Sequence, residues 1–182
     1  MSAQKPTSPQ RLWARLRPES PSIPWHLALA ASAAGGLTIA VLGLAGDLAG
    51  TPILIAAFGS SCVLVFLMPD AALSQPVNVI GGHLVAALCG VAVHALLPVA
   101  WWSLGLAVGV AMAAMAAARV IHPPAGGTPI AIMMTHAGWG YLFTPVLVGA
   151  VILSACALGY RMLLKRFAAA QGAGAATTPA AD

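Results

Sequence analysis

The residues of this chain that could do chemistry fall into three stretches: Gly59-Ser60-Ser61, Asn78 with His83, and Arg119-Val120-Ile121-His122-Pro123-Pro124-Ala125-Gly126-Gly127-Thr128. The third has the strongest local pattern. Two prolines opening a short helix can occupy its first turn, where a missing N–H is harmless. Ala125, Gly126, Gly127 and Thr128 then offer backbone N–H groups with no bulky side chain in front of them. Free donors and the helix dipole together attract an anion, and Arg119 and His122 add positive charge or hydrogen bonds. The plain alternative is a proline-broken turn that only redirects the chain, with Arg119 as a topology anchor.

Gly59, Ser60 and Ser61 supply hydroxyls and close backbone approach, either as the facing wall of such a site or as small residues packing helices. Asn78 and His83 are five apart and do not share one helix face, but Asn78, Gly82 and Ala86 at i+4 steps let a polar group meet the broken stretch. Ionisable groups at membrane depth are rare and mark function. For His83 a pathway role and a structural role are both open; His94 and His136 read as structural. An enzyme is not expected. The acids are Glu19, Asp47, Asp70 and Asp182, all in loops or tails. HExxH, GxSxG and a Gly-rich phosphate loop are missing, and neither acid nor nucleophile pairs with His83 or His122 at a recognisable spacing. Five histidines without partners at ligand spacing suggest no metal, and no cofactor is called for.

The elements that must position these residues lie in a bilayer. Of 182 residues, 60% are hydrophobic and 7% charged, far from the roughly 25% charged composition of soluble domains. Lys5, Arg11, Arg15 and Arg17 precede the first apolar segment, Arg161, Lys165 and Arg166 follow the last, and Arg119 stands alone between two. Both termini are therefore expected in the cytoplasm. Basic residues flanking apolar segments do not form the stripe that nucleic-acid binding needs. Cys62, Cys89 and Cys156 lie inside apolar runs without disulfide or CxxC spacing. The first 24 residues are polar and rich in proline, unlike a signal peptide.

Six segments follow: Trp25 to Leu44, a short Thr51 to Met68, Val77 to Leu97, Trp101 to Ala118, a Pro/Gly-broken stretch from Ile121 to Thr135, and Thr144 to Leu164. The expected fold class is all-α, a polytopic transmembrane helix bundle with two short Gly/Pro-broken segments. Each half reads long, short and broken, then long beside a proline, as an inverted repeat would. Paired broken segments at matching places in two halves are the best sequence pointer to a transporter's binding site. If both short segments cross, Arg119 lies on the side of the termini; if both are re-entrant, it lies opposite. We expect crossing. Residues 1–24 are read as a basic, Pro-rich cytoplasmic segment, 25–166 as the transmembrane domain and 167–182 as a disordered tail.

Phe58-Gly59-Ser60-Ser61, Gln75-Pro76-Val77-Asn78-Val79-Ile80-Gly81-Gly82-His83, His122-Pro123-Pro124-Ala125-Gly126-Gly127-Thr128 and Thr144-Pro145-Val146-Leu147-Val148-Gly149-Ala150 together resemble the HPP family of integral membrane proteins. The resemblance covers about Trp25 to Lys165. It implies a bundle usually described with four membrane spans, transporter activity, and nitrite as the solute of some plastid and cyanobacterial relatives. Pro129 after Thr128 and Cys62 after the two serines depart from the pattern, and Pro129 shortens or bends the half-helix.

The expected function is transport of a small solute, above all a small inorganic anion such as nitrite, by a permease or channel of the cell inner membrane. Its substrate-binding residues would be His122, Pro123, Pro124, Gly126, Gly127, Thr128, Gly59, Ser60, Ser61, Asn78, His83 and Arg119. The competing expectation is a non-transporting membrane subunit that docks a partner through Gly105, Gly109, Ala113 and Ala117, small residues at every fourth position. The lipid bilayer is a partner in either case, nucleic acid in neither, and a homo-oligomer is left open.

Overall fold

The computed structural model describes the backbone of residues 22–176 and side chains up to 169. The basic segment expected over residues 1–24 lies almost wholly outside them. The chain is all-helical, with no strand among the described residues. The helices are α1 (Trp25–Ala49), α2 (Ala56–Leu67), α3 (Pro76–Leu96), α4 (Trp101–Ala117), α5 (Thr128–Met134) and α6 (Val148–Ala176), with short 3₁₀ turns at Ala72–Ser74, Pro123–Gly127 and Trp139–Leu142. α1, α3 and the Trp139–Ala169 stretch are long and apolar enough to cross a membrane. The helix α6 runs to Ala176, through residues expected to be a disordered tail: Ala and Gln in that stretch are strong helix formers, and a preceding helix lowers the nucleation cost.

α2 has 12 residues and rises only about 18 Å, against roughly 30 Å of hydrocarbon. The stretch Pro123–Met134 is similarly short because its prolines and glycines hold the first turn in a 3₁₀ form. Both nevertheless run from one end of the bundle towards the other. Phe58 on α2 lies under Gly149 of α6, and farther along Phe66 meets Tyr160 edge-on at 5.4 Å. The broken stretch follows α3 in parallel: Val120 lies on Gly81, Pro129 on Gly90, and Met133 packs with Val93.

Arg161 donates to Gln75 Oε1 at 3.0 Å and pairs with Asp70 at 3.5 Å, while Asn78 reaches the Ile121 carbonyl at 2.9 Å. The α2–α3 connection, Arg119 and the basic end of α6 therefore share one end of the bundle, as expected if the short segments cross. The order long, short, long repeats from α1–α3 to α4–α6 with the direction through the bundle reversed.

Three helices end alike. Thr51, Val120 and Ala137 donate their N–H groups back to the carbonyls of Gly46, Met115 and Ile132, closing Schellman turns. The left-handed position holds Gly50 at φ 64°, but Arg119 at φ 58° and His136 at φ 53° in the other two, where a Cβ costs about 1–2 kcal/mol. In the first turn of α4, the Ser103 hydroxyl accepts from Ala100 N–H at 3.0 Å and donates to Pro98 O at 2.6 Å.

The main core joins α1, α2, α3 and α6 around Leu42, Phe58, Val65, Val79, Val146 and Leu153, with Ile132 from α5. α4 packs on α3 through Ala107, Ala111 and Met115. Gly105, Gly109, Ala113 and Ala117 face outward instead, and a Cβ on either glycine would meet nothing within 4 Å.

Candidate functional site

The two short segments meet against α3, and there the polar residues of three distant stretches join. Ser61 sits on α2, one turn after Ala57, whose carbonyl its Oγ approaches at 3.1 Å. The same Oγ lies 2.9 Å from Nε2 of His83 on α3 and 2.9 Å from Nε2 of His122, the residue before the 3₁₀ turn. His83 Nδ1 is 3.0 Å from Oγ1 of Thr128, the first residue of α5, and His122 Nδ1 is 2.9 Å from the Leu73 carbonyl. Ser61, His83, His122 and Thr128 are all fully buried. Phe58 closes the side, its ring edge-on to His83 at 5.0 Å.

Chemistry assigns the hydrogens. A carbonyl only accepts, so His122 Nδ1 carries N–H and, in a neutral ring, Nε2 accepts. Ser61 therefore donates to His122 Nε2 at 2.9 Å, its one hydrogen shared with the Ala57 carbonyl at 3.1 Å. Ser61 then accepts from His83 Nε2–H, which leaves His83 Nδ1 to accept from the Thr128 hydroxyl. With both rings neutral the bonds run in one direction, Thr128 to His83 to Ser61 to His122 to Leu73, and all four ring nitrogens are used. A completed buried polar network of this kind fixes the relative placement of its elements.

Backbone approach makes the junction possible. A Cβ on Gly82 would stand 2.7 Å from His122 Cβ and 2.9 Å from Val120 O, and one on Gly81 would stand 2.9 Å from Val120 Cγ1. Only glycine lets the extended Val120–His122 stretch lie against α3 here. Asn78 completes it by donating Nδ2–H to the Ile121 carbonyl at 2.9 Å, a backbone acceptor that belongs to no helix.

Of the residues expected at the site, Ser61, His83, His122 and Thr128 form its centre, and Asn78 braces the stretch beside it. Pro123, Pro124, Gly127 and Ser60 line an open groove of about 740 Å³ next to the centre, together with Ala57. Ser60 spends its hydroxyl on Ala57 O at 3.1 Å. Gly126 is half-buried, with nothing within 4 Å of a built Cβ. Gly59 lines a different groove, against α1, and Arg119 is exposed at the bundle end.

Of the free-donor cradle expected at Ala125, Gly126, Gly127 and Thr128, the first and last donors are already engaged. Ala125 N–H donates to His122 O at 2.9 Å, and Thr128 N–H donates to Ala125 O, because the 3₁₀ turn closes its own bonds before α5 begins. The expectation that no nucleophile pairs with the histidines also fails in space: Ser61 bonds both. The sequence reading missed Leu73, whose part is played by a backbone carbonyl, and gave Gly149 only as part of the Thr144–Ala150 motif, without its close fit beneath Phe58.

An all-helical bundle with apolar segments of spanning length and a buried polar junction of two short segments is a polytopic integral membrane protein. The chain belongs to the HPP family: the model of the HPP transmembrane region matches residues 20–168. It is similar to two transmembrane proteins of Dictyostelium discoideum. One is 32% identical over 114 residues, 58% of this chain and 40% of the relative. The other is 33% identical over 116 residues, 59% of this chain and 37% of the relative. The chain therefore aligns with about two fifths of each relative's length. No solved structure matches it.

Proposed function

We propose that this protein is a permease or channel for a small solute, an inorganic anion such as nitrite, whose path passes the junction of the two short segments. The observation that carries the reading is the buried Ser61–His83–His122–Thr128 centre. Burying polar and ionisable side chains at membrane depth is expensive, and such groups characteristically line solute or proton paths. The groove beside it, lined by the prolines and Gly127 of one short segment and by Ala57 and Ser60 of the other, is the access route in this reading. Nitrite enters from the resemblance to the HPP family; the hydroxyl and imidazole N–H groups of the centre bond one another here, and in this reading an anion takes over one of those bonds.

The protein is read as an inner-membrane, multi-pass protein with both termini cytoplasmic. Supporting this, Arg161, Arg119 and the α2–α3 connection share one end of the bundle, the arrangement that the excess of positive charge on cytoplasmic connections favours. It is read as no enzyme. Ser61 meets two histidines, but the partners of both rings are Ser61, Thr128 and the Leu73 carbonyl, none of them an acid, and its hydroxyl is enclosed.

Nitrite entry into liposomes holding the purified protein tests the reading, with nitrate, formate and chloride as competitors. Saturable entry that disappears in His122→Ala is expected. Flux indistinguishable from protein-free vesicles sinks it. One observation favours a second reading, a non-transporting subunit: the small-residue face of α4 at Gly105 and Gly109 is open in this protomer. That reading requires that Gly109→Leu lose a co-purifying protein and that no flux be seen.

A further inference from the structure

The buried centre has two hydrogen-bonding arrangements that use every ring nitrogen, and they differ by a single proton. In the neutral one the bonds run from Thr128 through His83 and Ser61 to His122, ending on Leu73 O. Adding a proton reverses the middle. His122 then donates from both nitrogens, to Leu73 O and to Ser61 Oγ; Ser61 turns its hydroxyl to His83 Nε2; and His83 donates through Nδ1 to Thr128 Oγ1. Every contact is already at 2.9–3.0 Å, so only hydrogens relocate.

The hydrogens balance. Thr128 passes its hydroxyl hydrogen to His83 Nδ1, His83 passes its Nε2 hydrogen to Ser61, and Ser61 passes its own to His122 Nε2. The entering proton restores the Thr128 hydroxyl. Thr128 itself is fully buried, and the residue before it, Gly127, lines the 740 Å³ groove by which a proton and a solute would approach.

What the centre lacks is a counter-charge. Asp70, in the α2–α3 connection, is 90% exposed and pairs with Arg161. Cys62 on α2 turns towards Gly35 of α1. On α3, Cys89 packs with the α4 cluster, and the His94 ring lies tilted against His136 at 5.3 Å. Arg119 is exposed, and α6 presents Cys156 and Tyr160 to the main core. Among the described residues, then, no carboxylate reaches the network. A buried cation without a partner is costly, and an anion in the groove supplies that partner.

We propose that Thr128, His83, Ser61 and His122 form a store for one proton that couples solute anion and proton, so that each anion crosses with a proton. This rests on the transport reading above, and two measurements separate the failures. In vesicles loaded with a pH-sensitive dye, nitrite entry should acidify the lumen by one proton per nitrite beyond protein-free vesicles. Thr128→Val keeps the shape and removes the entry hydroxyl; its proton signal should fall by about 100-fold, as on loss of a proton-transfer group. Nitrite entry with no proton movement above protein-free vesicles overturns the store and leaves transport standing; no nitrite entry overturns the transport reading and the coupling with it. Nitrogen-15 NMR of histidine in lipid nanodiscs, which needs no flux, should find His122 carrying its hydrogen on Nδ1 and His83 on Nε2 at neutral pH without nitrite. Both rings carrying it on the same atom overturns the relay, and a Thr128→Val sample retaining the His122 signature shows that the variant is folded.

Discussion

Gly82→Ala and Gly105→Ala make the same chemical change in two α-helices and should act with opposite sign. At Gly82 the new Cβ would stand 2.7 Å from His122 Cβ, 2.9 Å from Val120 O and 3.4 Å from His122 N, where ordinary contact begins at 3.4 Å. The obstacles are backbone and a Cβ, which no rotamer change moves aside, so α3 and the Val120–His122 stretch must separate. Overpacking of this kind costs about 1–3 kcal/mol, and separation also lengthens the Asn78–Ile121 bond. Replacing glycine within a helix returns at most about 0.5–1 kcal/mol, and less in a membrane where the helix persists after its contacts are lost. The net expectation for Gly82→Ala is a loss of roughly 1–2 kcal/mol. At Gly105 nothing lies within 4 Å, so only the gain remains. Thermal unfolding of both variants in one detergent, followed by tryptophan fluorescence, measures the pair. Should Gly82→Ala match or exceed the stability of Gly105→Ala, the argument that backbone approach at Gly82 holds the junction together is wrong.

Gly149→Ala should be more damaging still, because its Cβ would enter the Phe58 ring and stand 2.9 Å from Ile53 O; a drop in the yield of monodisperse protein on size-exclusion chromatography is the readout. Asn78→Leu keeps the volume and strips the Ile121 carbonyl of its donor, which should cost about 0.5–1.5 kcal/mol in the same unfolding assay, whereas an Asn78→Ser variant should lose less. Asp70→Asn should change stability by no more than about 1 kcal/mol, because Asp70 is 90% exposed and its pair with Arg161 is long at 3.5 Å. Gln75→Leu, which removes the 3.0 Å partner of Arg161, should cost more than Asp70→Asn.

Element order was legible because apolar run length and proline position act locally. Pro76 and the Trp101–Trp102 pair stand at the helix starts they announced, and Asn78 and Gly82 meet the broken stretch as their i+4 spacing suggested. The centre was legible only as a set of separate candidates. Ser61 and His122 are 61 residues apart, and His83 and Thr128 are 45 apart, so their bonding depends on a parallel course of α3 and the broken stretch that no local pattern encodes. Reading Ala125 and Thr128 as free donors assumed a regular helix start, whereas the 3₁₀ turn closes those bonds itself. On α4 the small residues packed inward are Ala107 and Ala111, offset from the stripe at Gly105 and Gly109, which faces outward.

The course of Val120–His122 against α3 also bears on how the chain can be made. This stretch is non-helical, and lipid offers nothing to bare peptide groups. Its partners outside the second half are Ser61, Leu73, Asn78, Gly81, Gly82 and His83, and all of these precede it in the chain. Since synthesis proceeds from the N-terminus and earlier parts organise first, the receiving surface is complete before the stretch emerges. Moving the second half ahead of the first, in a circular permutant, would leave the Ile121 carbonyl and the His122 ring waiting for partners not yet made.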